Sequence, residues 1–226
     1  MRGTGIELRD ARVHYGPLEA LHGITLSAPT TALTVLLGRN GAGRTTALRA
    51  LAGTVPLSAG TVVRDGRDIT HQQAHERAAQ GLCFIPDRAA VFPSLTVAEN
   101  LDLAAGDNAR ALDAYPELRP LLSRRAGTLS GGEQRMLAVS RALLTNAGVI
   151  LVDEPTQGMS PATATRTYAL LESLDACVVL AEQRLPPGLR EGAGRTAIVH
   201  VLRRGEVVFS GEPGELNPAR SRYAPE

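Results

Sequence analysis

The sequence predicts an α/β fold on a parallel sheet, interrupted by a helical insert. Three observations carry this. Apolar runs of strand length, ALTVLL (32–37), GVILVD (148–153) and CVVLAE (177–182), alternate with stretches of helical character. The first run ends in a Gly-rich turn, residues 38–46. Between about residues 88 and 147 the pattern becomes helical, without β-branched runs and with Pro93, Pro116 and Pro120.

Element by element, residues 5–15 and 22–27 read as short half-buried strands. The apolar run 32–37 leads through the glycine turn into a helix from Thr45 to about Ala52. Residues 61–69 contain Asp65-Gly66, a hairpin-turn dipeptide. Residues 71–80 read as a polar helix and 82–85 as a strand. After the insert come the strands 148–153 and 177–182 with a helix between them. Residues 197–209 then form two strands around a turn at Arg204-Gly205.

Composition limits the function. The 226 residues are enough for one large domain or one domain with an inserted subdomain. A net charge of +1 gives no reason to expect nucleic acid as a partner. No apolar run approaches the ~20 residues needed to cross a bilayer, and the first ten residues hold no secretory apolar segment. The expectation is a cytoplasmic chain whose membrane contact comes only through partners. The two cysteines, Cys83 and Cys177, sit in apolar strand-like runs and read as reduced core thiols. All 24 basic residues are Arg, a bias that GC-rich codons explain most simply.

Three motifs carry chemistry. The first is Gly38-Arg39-Asn40-Gly41-Ala42-Gly43-Arg44-Thr45-Thr46, between an apolar strand and a helix. Glycines let successive backbone N–H groups turn inward around a polyphosphate, and the helix adds its positive N-terminal end. Thr45 is placed to offer a hydroxyl to Mg²⁺, and Arg44 stands where such loops have Lys. In the second motif, the strand 149–153 delivers Asp153 and Glu154 at its end. Asp153 suits Mg²⁺, and Glu154 suits a general base that polarises an attacking water. The third motif is Leu129-Ser130-Gly131-Gly132-Glu133-Gln134. Ser130 and Glu133 form a capping box, but two consecutive glycines are poor helix residues and suit close approach to a phosphate.

With these motifs in this order, the chain resembles the ATP-binding subunits of ABC transporters, for which LSGGEQ is the signature. The resemblance covers almost the whole chain. It implies a P-loop NTPase core with a mixed sheet, N-terminal antiparallel strands joined to a parallel core, and an inserted helical subdomain. The whole chain, 1–226, would be one ABC ATPase domain, with 1–87 and 148–226 as the core and 88–147 as the helical signature subdomain. It also implies ATP and Mg²⁺ as cofactors and assigns Tyr15 to adenine stacking. Asp87 takes the Q-loop position, with Thr45 and Asp153 beside it as metal-site residues, and Gln183 takes the switch position. Ser130, Gly131, Gly132 and Gln134 would bind nucleotide held by a second subunit, with residues 158–161 crossing the interface.

The stretch CFIPDRAAVFPSLTVAENL and the pair Glu182-Gln183 are similar to the second-type ATP-binding subunits of branched-chain amino-acid importers. Implied partners are a second ATP-binding subunit and transmembrane permeases, docked near Asp87 and residues 92–100 on the inner face of the membrane. Arg44 and the non-His switch leave a second reading open, a non-hydrolysing subunit of a heterodimer. His71 and His75, spaced i, i+4, read as a solvated helix face. His200 reads as a satisfied strand histidine, and Arg203 and Arg204 as solvated turn charges.

Overall fold

The computed structural model describes residues 5–104, 106–186, 189 and 196–216. Two long strands, β1 (Ile6–Tyr15) and β2 (Leu18–Ala28), open the chain, followed by β3 (Leu33–Leu37) and α1 (Arg44–Ala52). The hairpin β4 (Ala59–Arg64) and β5 (Arg67–Asp68) turns on Asp65 and Gly66, at φ 50 and 78. Positive φ at both central residues is what a two-residue hairpin of matching twist requires, and Asp-Gly supplies it. Then come α2 (Ala74–Ala79) and β6 (Leu82–Ile85). The helix in this segment is shorter than its polar pattern suggested, and His71 lies outside it.

The insert contains α3 (Val97–Asp102), α4 (Asn108–Ala114), two 3₁₀ turns and the long α5 (Gly131–Leu144). The core resumes with β7 (Val149–Asp153), α6 (Pro161–Glu172), β8 (Cys177–Glu182), β9 (Ala197–Arg203) and β10 (Glu206–Gly211).

The strands divide between two sheets. An antiparallel sheet has the order β2-β1-β4-β5, and a six-stranded sheet runs β10-β9-β3-β8-β7-β6. Five strands of the second are parallel, and β10 adds an antiparallel edge to β9. Burial on both faces explains the continuous apolar runs of the parallel strands. In β7, Val149 and Leu151 point to the layer holding α1 and the antiparallel sheet. Ile150 and Val152 point to the layer holding α5 and α6. His200 joins the two sheets, with Nε2 at 2.9 Å from Ser27 O and Nδ1 at 2.8 Å from Ser210 Oγ. It is satisfied, and burial lowers its pKa. Cys177 is buried, its Sγ donating to Ala28 O at 3.1 Å, and Cys83 is only partly buried; neither is in a disulfide.

The parallel strands all end on one edge, where β3 delivers the glycine turn, β7 delivers Asp153-Glu154 and β8 delivers Glu182-Gln183. Crevices beyond the C-terminal ends of parallel strands are where ligands bind in α/β folds.

Candidate nucleotide site

The turn after β3 is a cradle. Gly41 and Gly43 have φ 78 and 106, and Gly43 caps α1. A Cβ on Gly38 would stand 2.5 Å from Leu202 O, so that residue must be glycine for the turn to pack on β9. The loop is braced from the far end of the chain, because Gly205 N donates to Ala42 O (2.9 Å). A cleft of about 700 Å³ opens above it, lined by Tyr15, Asn40 to Thr46, Asp87, Glu154 and Gln183. Tyr15 stands 41% exposed at its mouth, where a ring can take a stacked base. Arg39 is exposed and contributes its carbonyl, which accepts from Ala42 N.

Within the cleft, Arg44 is buried, and its Nη2 reaches Glu154 Oε1 at 3.2 Å and Asn40 Oδ1 at 3.4 Å. Gln183 Nε2 donates to the same Glu154 oxygen at 3.0 Å. Glu154 takes φ 49, a conformation costing a non-glycine residue about 1–3 kcal/mol. That backbone turn aims the carboxylate at the loop instead of continuing the strand.

Asp153 is buried, and neither of its carboxylate oxygens has a hydrogen-bond partner. Burial raises its pKa, while the nearby Thr45 hydroxyl and Arg44 pull it down. Two orphaned carboxylate oxygens next to a threonine hydroxyl form an oxygen donor set that suits Mg²⁺. Asp87 lies on the cleft wall with 3.8 Å ion pairs to Arg49 and Arg88.

The signature residues lie elsewhere. Ser130 caps α5, accepting from Glu133 N (3.3 Å), while Glu133 Oε2 accepts from Ser130 N (2.7 Å). Gly131 and Gln134 line a second, smaller hollow with Asp87 and Gly158. The two glycines have different surroundings. A Cβ on Gly132 would meet Gly158 O at 2.5 Å, whereas one on Gly131 would meet nothing within 4 Å. Gly132 therefore answers a contact within its own chain, and Gly131 has open space beside it.

Several contacts that serve the site had no local sequence signal. Arg135 is buried and donates to Pro86 O (2.8 Å), Asp87 O (3.4 Å) and Asp153 O (2.7 Å), joining α5 to both acidic segments. Asn100 accepts from Phe92 N (2.9 Å) and donates to Thr96 O (2.9 Å), fixing the shape of the 92–100 segment. Glu182, buried at the end of β8, accepts from the Tyr168 hydroxyl (2.6 Å). The residue types in these positions are ordinary, and only the tertiary fold gives them partners.

This geometry is that of a nucleotide-binding ATPase cassette. The chain belongs to the ABC transporter family, whose profile matches residues 21–157. It is 35% identical to the probable branched-chain amino acid transport ATP-binding protein LivF of Archaeoglobus fulgidus, over 89% of each chain. The high-affinity branched-chain amino acid transport ATP-binding protein BraG of Pseudomonas aeruginosa is 30% identical, over 87% of this chain and 88% of its own. At 30% identity the lipopolysaccharide export system ATP-binding protein LptB of Escherichia coli also matches, over 85% of this chain and 84% of its own. Among solved structures, a dimeric post-hydrolysis ATP-binding cassette bound to ADP and phosphate superposes with TM-score 0.79 at 21% identity, covering 92% of this chain and 98% of that one. The protein is an ATP-binding, ATP-hydrolysing subunit of an ABC transporter, and nothing in these relationships favours the non-hydrolysing alternative. Among the described residues, no helix is long and apolar enough to cross a membrane.

Proposed function

We infer that this subunit powers uptake of branched-chain amino acids, working as a head-to-tail dimer beneath transmembrane permeases on the cytoplasmic face of the membrane. The two branched-chain relatives and the Glu182-Gln183 pair support the solute class. One observation carries the dimer. The P-loop lines one cavity while Gly131 and Gln134 line the neighbouring one, an arrangement that supports a second copy bringing its signature onto the phosphates. In this reading Tyr15 stacks on adenine, and the backbone of residues 38–46 wraps the phosphates. Thr45 and Asp153, with Asp87 nearby, would hold Mg²⁺, which would supply charge neutralisation to the phosphates. Arg44 contacts the terminal phosphates. Glu154 takes a proton from the attacking water, and Gln183 orients it. Asp87 and the 92–100 segment, where Phe92 is half exposed, are where the permease docks.

The base is the point to test. Glu154→Gln keeps shape and hydrogen bonding but removes the proton acceptor. It should bind Mg-ATP normally and accumulate as an ATP-dependent dimer in light scattering, because closure proceeds and release does not. A Glu154→Gln protein that stays monomeric in saturating Mg-ATP overturns the sandwich reading. Swapping the permease context, with uptake of leucine, isoleucine and valine measured, tests the solute.

A further inference from the structure

Tyr168, on α6, is buried with 7% exposure. Its hydroxyl donates to Glu182 Oε1 at 2.6 Å and lies 3.0 Å from Thr156 Oγ1. A tyrosine hydroxyl has one proton. With that proton committed to Glu182, the second bond must be donated by Thr156, so the chain runs from Thr156 through Tyr168 to Glu182.

The two ends of this chain sit on the two segments that hold the base. Thr156 follows Glu154 by two residues, in the loop whose Gly158 packs on Gly132 of the signature helix. Glu182 immediately precedes Gln183, which donates to Glu154 Oε1. The backbone carbonyl of Glu182 also accepts from Gly38 N (3.1 Å), at the first residue of the phosphate loop. A phenylalanine at position 168 would fill the same space, so packing alone does not call for the hydroxyl. A buried carboxylate is also an expensive acceptor. Burial, ahead of the opposing hydrogen bond, pushes the Glu182 carboxyl up to about 7.

We propose that Tyr168 is a positioning residue for hydrolysis. Its hydroxyl ties the loop after Glu154 to the strand end before Gln183, so the base and its amide partner keep one relative geometry when a second subunit presses on residues 156–160. This rests on the assignment of Glu154 as the base and extends it to a residue that does not line the nucleotide cleft. The neighbouring Thr167 links the same helix to the insert through Tyr115 (2.8 Å). The insert and the segment before Gln183 thus both bond to α6.

The test compares steady-state ATPase kcat and KM of the full chain with Thr156→Val, Tyr168→Phe and the double variant. Glu154→Gln serves as the control. Thr156→Val alters a half-buried loop residue and leaves the core intact. Each single variant should lower kcat about 5- to 10-fold with KM for ATP within about twofold. The double variant should be no slower than Tyr168→Phe, because both substitutions cut the same chain. Wild-type kcat in Thr156→Val overturns the proposal whether or not Tyr168→Phe folds. An effect confined to KM, or losses that multiply in the double variant, overturn it as well. If Glu154→Gln hydrolyses ATP at the wild-type rate, the base assignment itself has failed, a result distinct from the other three.

Discussion

The Arg44 guanidinium reaches Glu154 and Asn40 with the same nitrogen, while its Nη1 is buried without a partner. A lysine here would carry the same charge on a thinner stem. It could not fill the space of the planar group, and it would present a point charge in place of a fork. We propose that the pocket has adapted to arginine, as a chain whose 24 basic residues are all Arg would require. Arg44→Lys should leave ATP turnover unchanged or lower it, measured as steady-state phosphate release. A rise of about 10-fold, equivalent to ~1.4 kcal/mol of barrier, would instead mean that arginine restrains the site. The sequence makes Arg44, Asp153 and Glu154 legible as site residues, since each follows an apolar strand at the spacing phosphate chemistry needs. It does not reveal that Arg44 and Glu154 meet, because the contact spans 110 positions of chain. The bond between Tyr168 and Glu182 stays hidden for the same reason. A Tyr in a helix and a Glu at a strand end have no local pattern that marks them as partners.

The start of α5 shows how one element can serve two demands. Its capping box is readable three residues at a time, and the structure contains both of its bonds. The two glycines after Ser130 look equivalent in sequence but are not. Gly132→Ala drives a Cβ into Gly158 O and should destabilise the free subunit by about 1–3 kcal/mol, seen as a lower urea midpoint. Gly131→Ala meets nothing in its own chain and gains helix propensity, so its stability should stay within about 0.5 kcal/mol of wild type. The same change should weaken the ATP-dependent dimer. Equal effects of the two substitutions on the free subunit would show that Gly132 does not carry the contact with the loop. The hairpins were similarly legible. Asp65-Gly66 and Arg204-Gly205 both take positive φ at both turn residues, and in the first the dipeptide alone announces it. The length of α2 was not legible, because a polar stretch continues past the residues that hydrogen-bond as a helix.

At the scale of the molecule, the buried Glu182 couples stability to pH. Its folded-state pKa of about 7 lies above the ordinary 4.5. The folded state therefore holds the proton more tightly, so the stabilisation is complete below the ordinary value and is lost as pH rises through about 7. Relative to Glu182→Gln, the wild type should lose about 2–3 kcal/mol of unfolding free energy between about pH 5 and about pH 8. A pH-independent difference between the two proteins in urea titrations would contradict the burial argument. The α/β class and the insert could be read from alternating runs, but the division into two sheets could not. It depends on strand partners far apart in sequence, joined by bonds such as that of His200 to Ser27 O. Strand order has a further consequence for synthesis. β3, which delivers the phosphate loop, emerges early, yet its two neighbours are β8 and β9, with Leu33 paired to Val178 and to Ala197. On a ribosome adding about 5–20 residues per second, that strand waits many seconds for both flanks. Such late, long-range closure is slow and leaves apolar edges open to other chains. The nascent subunit thus passes through an interval in which its phosphate loop exists as sequence but has no sheet to hold it. Only when the hairpin carrying Gly205 is complete can the loop be braced through Ala42.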